Sequence, residues 1–345
     1  TQMSTTHTSK LNHFHLCVIG GGAAGFFSAL QHKQQFPKNK VIILESSKTV
    51  LSKVKLSGGG RCNVTHACFD NKQLPFHYPR GQKELMGPFE QFNCNHTVEW
   101  FKKKGITLKT EADGRMFPIS NSSQSIVDCL TQTAQKLGVL VLIQCKVVQL
   151  SKKQWFEIKL DSNQLLRSQN LILATGSSRN GYQLAQSLGH RIISPIPSLF
   201  SFKIKDPKLC SLQGLSVKYA KVWLNSQKKS CQTGPVLMTH WGLSGPAIIK
   251  LSAWQAKTLH QLNYNCSINI NWLANYTEQE VTLKLTHHMQ QNPKKYIENL
   301  CPFPELASRF WSYILQAAQL KPKTIAKQIS KKQLQAIITL LSQQE

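Results

Sequence analysis

Gly20-Gly21-Gly22-Ala23-Ala24-Gly25 is the first run in the chain whose chemistry would come from its backbone. A glycine turn that opens a helix leaves N–H groups free at the positive end of the helix dipole, and that combination holds a diphosphate. In such a turn Gly20 permits the tight bend, Gly22 lets a pyrophosphate approach the main chain, and Gly25 lets the helix pack closely on the preceding strand. Glu45 lies 20 residues beyond Gly25. At the end of a strand its carboxylate can accept hydrogen bonds from a ribose diol, and it would repel a 2′-phosphate, so the bound adenosine is not expected to be that of NADP. FAD and NAD share this fingerprint, which does not choose between them.

The elements that must position these residues are legible on either side. His15 to Ile19 reads as a buried strand, the segment from Phe26 to Leu30 as a helix, and Val41 to Leu44 as a second buried strand ending at Glu45. A second cluster, Ser57-Gly58-Gly59-Gly60-Arg61-Cys62-Asn63, follows as a loop. A helix is expected from Asn95 as its cap to Gly105, a strand over 106–110, a turn at Asp113-Gly114, a helix over 125–137, and strands over 139–150 and 155–160. Leu171-Ile172-Leu173-Ala174-Thr175-Gly176 reads as a central strand stopping at a glycine, the form expected where a carboxyl end meets a cofactor. From about Arg191 prolines and alternating strands such as Val217 to Leu224 mark a second domain. Gly234 to Ile249 reads there as strand, glycine loop and helix, and 276–289 and 303–342 as helical, the latter split at Lys321-Pro322.

Composition bounds the function. The chain has 345 residues, enough for two domains that each bury a core, and is 41% hydrophobic. Its longest nearly uncharged stretch, Leu16 to Leu30, is too short and glycine-rich to span a bilayer, and no signal-peptide cleavage site follows, so a cytoplasmic protein with no membrane span is expected. Ten cysteines occur without a Cys-x-x-Cys pair, which argues against a zinc site and a disulfide framework. The net charge of +26 makes a field that attracts polyanions without sequence preference, but the lysine pairs are dispersed, which favours a solvated basic surface over a dedicated nucleic-acid element.

Four blocks carry a resemblance: Ser57 to Thr65, Asp113 to Pro118, Ala174-Thr175-Gly176, and Thr239-His240-Trp241-Gly242-Leu243-Ser244-Gly245-Pro246-Ala247. They resemble the signature blocks of the HI0933-like (BaiN-type) flavoproteins, over roughly residues 13–340. The resemblance implies an α/β fold: a Rossmann-like FAD-binding domain of the two-dinucleotide-binding type over 11–191, with an inserted domain of strands then helices over 192–345. It places Gly20, Gly22, Ala23, Ala24, Gly25 and Glu45 on the ADP half of FAD, and Val147 on adenine through its backbone. Lys53, Gly58, Gly59, Arg61, Cys62 and Asn63 would lie along the pyrophosphate and flavin, and Ala174, Thr175 and Gly176 would make the third FAD contact. Ser177 and His66 stand where the family commonly has Gly and Asn. The glycine blocks with which the family returns to the FAD domain do not occur before Glu345, so the expectation is of a chain lacking that C-terminal segment.

The function implied is an FAD-dependent oxidoreductase acting on a small organic substrate, with NAD(P)H as an electron donor. The alternative is a basic flavoprotein, or a flavin-free remnant, that binds RNA as tRNA-modifying flavoenzymes do. Two residues are candidates for chemistry: Cys62, as a low-pKa thiol beside an arginine, and His240, as a proton donor before a helix N-terminus. Each has a plainer reading as a packing or hydrogen-bonded residue. Arg61 could stabilise charge on reduced flavin or contact phosphate, Arg115 could bind a substrate carboxylate or form a surface ion pair, and the turn 242–245 could offer N–H groups to an anion or be capped by Ser244.

Overall fold

The computed structural model describes residues 12–225, 228–321 and 323–345; Leu11 of the expected domain start and Pro322 of the expected helix break lie outside them. The chain divides into two compact units between Ile193 and Ser194, two residues beyond the boundary drawn at Arg191. Among the described residues no helix is long and apolar enough to cross a membrane.

The first unit runs β1 (His13–Ile19), α1 (Ala23–Gln35), β2 (Val41–Leu44), α2 (Ser52–Gly60), β3 (Thr65–His66), α3 (Gln82–Gln91), α4 (Cys94–Lys102), β4 (Leu108–Thr110), β5 (Arg115–Pro118), α5 (Ser123–Lys136), β6 (Leu140–Leu142), β7 (Val147–Lys152), β8 (Phe156–Leu160), β9 (Leu165–Leu173) and α6 (Arg179–Ser187). Its main sheet has the order β6-β2-β1-β9-β8-β7. The first four strands are parallel, and β9, β8 and β7 form an antiparallel meander. The apolar runs of β1 and β2 follow from cover on both faces. Leu16, Val18, Val41 and Ile43 pack with Phe26, Leu30, Ile126 and Leu130 of α1 and α5, whereas Cys17, Ile19, Ile42 and Leu44 pack with Leu150, Ile158 and Leu184 on the other side. A small sheet, β3-β5-β4, carries the segment around Asp113.

Several boundaries differ from expectation for local reasons. The helix at 94 is capped by Asn93, not Asn95. The Asn93 side chain accepts from the His96 N–H at 3.1 Å and His96 Nδ1 accepts from the Asn93 N–H at 3.2 Å, a reciprocal box with His in the usual Glu position. The strand expected over 139–150 is broken into β6 and β7 where Gln144 turns left-handed, with φ of 54°. Residues 57–60 do not form a plain loop. They are the distorted end of α2, with Gly58 and Gly59 at φ of 58° and 67°.

The second unit contains β10 (Phe202–Lys203), α7 (Pro207–Cys210), β11 (Ser216–Leu224), β12 (Gln232–Thr239), β13 (Gly242–Ser244), α8 (Pro246–Trp254), α9 (Ala256–Gln261), β14 (Ile268–Asn271), α10 (Glu278–Gln291), α11 (Ser308–Ala317) and α12 (Lys331–Gln343). Five antiparallel strands order as β10-β13-β12-β11-β14. The sheet and helices share one core built on Trp272, Phe303, Phe310 and Trp311, and both indoles are satisfied: Trp311 donates to the Ile297 carbonyl at 2.9 Å and Trp272 to Gln344 at 2.7 Å. The segment 242–245 proves to be a strand followed by Gly245, whose φ is 94°. Gly245, not Ser244, precedes the helix, and the Ser244 hydroxyl pairs with Ser201 instead.

Candidate FAD site in the first unit

Parallel pairing of β1 with β9 brings Gly20 and Ala174 to the same sheet edge, where the Ala174 N–H donates to the Ile19 carbonyl at 2.8 Å. Contact here is backbone on backbone. A Cβ on Gly20, whose φ is 112°, would stand 2.4 Å from the Ala174 oxygen, and one on Gly25 would stand 1.9 Å from the Gly20 oxygen. Gly22 is different: its φ is −89°, and a Cβ there would meet nothing within 4 Å. Nothing in the fold demands glycine at 22, so its missing side chain leaves room for an approaching ligand. Helix α1 then begins without a side-chain cap and without an acid in its first turn, with Ala23 and Ala24 exposed. No side chain of the cap residue or acid of the first turn thus stands between its first N–H groups and an approaching anion.

Glu45 sits at the end of β2 with its carboxylate turned toward this turn. It accepts from the Gly21 N–H at 2.7 Å and from the Ser47 N–H at 2.7 Å. Burial pushes its carboxyl up, but the N–H bonds from Ser47 and Gly21 outweigh that and hold it below the usual carboxylate range, so it is ionised at neutral pH. Oε1 also accepts from the Ser46 hydroxyl at 3.4 Å, so the lone pair left for a diol is on Oε2.

Lys53, at the start of α2, reaches Ser177 with its Nζ at 3.5 Å, which joins the second glycine cluster to the Ala174-Thr175-Gly176 turn. Gly176 is left-handed at φ of 59°. Gly181 seats Thr175, since a Cβ at 181 would stand 1.8 Å from Thr175 Oγ1. Asn180 donates to the Val147 carbonyl at 3.0 Å, so one lone pair of the backbone expected to meet adenine is already engaged. Ser177 was noted from sequence only as a departure from the family pattern, and neither Asn180 nor Gly181 was given a role at the site. Their signal was position, directly after the strand-ending Gly176.

The 57–65 segment docks on β5 through Phe117, which is fully buried. A Cβ on Gly58 would stand 2.8 Å from its ring. Arg61 lies over that ring, with its guanidinium carbon 4.1 Å from the centroid, and is ion-paired with Glu111. Arg115 lies 5.4 Å from the same centroid and is held by Asp113 at 2.7 Å and Glu111 at 3.5 Å, which realises the ion-pair reading of Arg115. Glu111 was not anticipated; the hairpin that bonds its N–H to the Arg115 carbonyl places it opposite. Asn63 is exposed beside this docked segment. Cys62 is buried at φ of 62°, and burial pushes its thiol up, against the low-pKa thiol considered from sequence.

A cavity of about 510 Å³ opens from Ala23 and Ala24, passes Lys53, Ser57 and Cys62, and is walled by apolar side chains including Phe101. Apolar walls with a few polar groups beside an uncapped helix start suit a flat ring carried on a diphosphate. Gly20, Gly22, Ala23, Ala24, Gly25, Glu45, Lys53, Ala174, Thr175 and Gly176 are thus gathered in one region, with Gly58, Gly59, Arg61, Cys62 and Asn63 on the segment beside it. His240 lies in the second unit, exposed with Trp241 in the tight turn between β12 and β13, and a strand separates it from α8. Among the described residues no group of three His, Cys, Asp or Glu side chains is arranged to hold a metal ion.

The sequence profile of the HI0933-like protein Rossmann domain matches residues 14–326. The chain belongs to the HI0933-like family. As an HI0933-like protein it is an FAD-dependent oxidoreductase, and the open space at Gly22 and the ionised Glu45 fit that cofactor. A 3-dehydro-bile acid delta(4,6)-reductase from Clostridium scindens is 26% identical over 88% of this chain and 78% of its own length. A ribosomal RNA dihydrouridine synthase from Escherichia coli is 26% identical over 84% of this chain and 74% of its own. Among solved structures, the open conformation of a flavocytochrome c3 fumarate reductase aligns with a TM-score of 0.45 and 15% identity, covering 63% of this chain and 50% of that one.

Proposed function

We propose that this HI0933-like protein uses FAD to reduce a carbon–carbon double bond conjugated to a carbonyl, with NAD(P)H as the electron donor. The observation that carries this reading is the cavity at the uncapped start of α1, apolar along most of its wall and lined by residues of both glycine clusters. Bound FAD supplies hydride chemistry, and the protein's part is to bind, orient and exclude water. In that division the α1 amides and Lys53 take the diphosphate and Glu45 the ribose. Phe101 and Leu130 close the apolar wall, and Arg61, fixed over Phe117 and paired with Glu111, holds in place the segment that carries Cys62 and Asn63. The names of both relatives denote reduction, and in each the reducible bond belongs to a ring system: a 3-dehydro-bile acid in one, the uracil base of RNA in the other.

A second reading is favoured by one observation: the charge of +26 is carried by both units. Residues 1–193 hold 24 Lys and Arg against 10 Asp and Glu, and residues 194–345 hold 18 against 6. A steroid needs no such field, whereas RNA does. In this reading the reducible ring is a base within RNA.

Purified protein, reconstituted with FAD where needed, is expected to be yellow and to bleach anaerobically with NADH or NADPH. The reduced protein is then mixed with a cyclic enone or with an RNA transcript. Reoxidation by either acceptor supports reduction of a conjugated double bond and chooses between the readings. A colourless protein that cannot be reconstituted, or reduced flavin that neither acceptor reoxidises, overturns the proposal.

A further inference from the structure

The second unit has a cavity of its own, about 340 Å³, at the β10 edge of its sheet. Phe200, Phe202, Tyr264 and Ile268 form the apolar wall, and Ser201 and Lys203 supply polar groups. Phe200 meets Phe202 edge-on at 5.7 Å and Tyr264 edge-on at 6.0 Å, so the aromatic wall is continuous. Tyr264 is nevertheless 45% exposed.

The backbone around this wall adopts conformations that L side chains avoid. Leu199, Asn263 and Tyr264 have φ of 59°, 49° and 59°. A large aromatic residue in the left-handed region is uncommon, although the preceding Asn263 is of a type that enters it readily. The position is held by surrounding structure: the Tyr264 N–H donates to the Leu259 carbonyl at 2.8 Å, and its hydroxyl lies 3.2 Å from His260 Nδ1. Phe200 is anchored in the same way, its N–H donating to Ser252 at 2.9 Å. Backbone strain of this kind persists only where the surrounding structure over-determines it, and it clusters at ligand sites.

Charge identifies the occupant. Lys203 lines the cavity, and Lys205 and Lys208 follow on the same segment, exposed and without an ion pair among the described residues. The one acid between them, Asp206, is consumed locally. It accepts from the N–H groups of Lys208 and Leu209 at 2.9 and 3.1 Å and from the Tyr313 hydroxyl at 2.8 Å. An aromatic wall bordered by uncompensated lysines is the chemistry that holds single-stranded nucleic acid, stacking on the base and pairing with the phosphates.

We propose that this cavity binds an unpaired nucleotide of an RNA strand, its base against Tyr264 and Phe200 and its phosphate on Lys203. The inference rests on the RNA reading above and adds a contact that does no redox chemistry. The test uses the full FAD-loaded chain and a fluorescein-labelled 12-nucleotide oligouridylate, with anisotropy read across a salt series. Tyr264→Leu is expected to weaken binding about tenfold with the salt slope unchanged, and Tyr264→Phe to keep wild-type affinity. Lys203→Gln is expected to lower the slope of log K against log salt by about 0.7, whereas Lys331→Gln, on an exposed stretch of α12, serves as a control for general charge. An oligonucleotide abasic throughout is expected to bind weakly and to be indifferent to Tyr264→Leu. If wild type binds but Tyr264→Leu matches it and Lys203→Gln matches Lys331→Gln, this inference falls and the RNA reading stands. If wild type fails to bind at low salt, both fall. Thermal unfolding of each variant separates loss of the wall from loss of the fold.

Discussion

The two glycine clusters of the first unit look alike in sequence and serve different ends. In the cluster at 20–25, Gly20 and Gly25 are required because backbone approaches backbone, whereas Gly22 is an ordinary conformation facing open space. In the cluster at 58–60 all three glycines are left-handed, and only Gly58 is also crowded, by Phe117 and Asn63. The first cluster therefore packs the fold and leaves open space beside the start of α1. The second makes a turn that delivers Arg61, Cys62 and Asn63. Glycine content alone does not separate these roles; the space around each Cβ does.

That contrast can be broken by substitution. Gly25→Ala should be the most damaging, because the clash is with the immovable Gly20 carbonyl. A loss of about 3 kcal/mol or more is expected in urea unfolding, together with loss of FAD. Gly22→Ala should leave the urea midpoint of the FAD-free protein unchanged yet weaken FAD at least about tenfold by flavin fluorescence titration, since the methyl fills the space of the diphosphate. Unchanged affinity would mean that the start of α1 is not the binding site. Gly59→Ala should cost about 1 kcal/mol from its left-handed backbone alone, and Gly58→Ala more, because it adds a collision with Phe117. If the two variants are equally stable, the docking of this turn on Phe117 is not what holds it.

Two smaller effects sharpen the picture. Glu45 has a folded-state value below the ordinary 4.5, so its contribution to stability is complete above about that pH and is lost as pH falls through the lower folded value. Unfolding measured from pH 6 to pH 3 should show a steeper acid loss in wild type than in Glu45→Gln. Equal slopes would mean that the bonds to Gly21 and Ser47 do not persist in solution. Cys62→Ala should change flavin reduction by NAD(P)H by less than about twofold, as expected of a buried packing thiol. A loss of two orders of magnitude would restore a redox role.

Legibility followed sequence distance. Strand–turn–helix at 15–30, the strand ending at Glu45 and the stop at Gly176 depend on apolar runs and glycines a few residues apart, and each was readable. The strand β13 between His240 and the following helix was missed because an apolar hairpin and a glycine loop share composition. The Asn93 cap was missed because His96 stands in for the usual acid, whereas the packing reading of Cys62 agrees with its burial.

By itself the sequence determined that a buried parallel strand would feed a glycine turn and an uncapped helix, because backbone freedom and apolar periodicity are properties of neighbouring residues. Only the tertiary structure decided that Arg61 pairs with Glu111 across 50 residues, Asn180 with Val147 across 33, and Lys53 with Ser177 across 124. Those partners are chosen by how the strands order and the helices pack, and packing is set by the whole core at once.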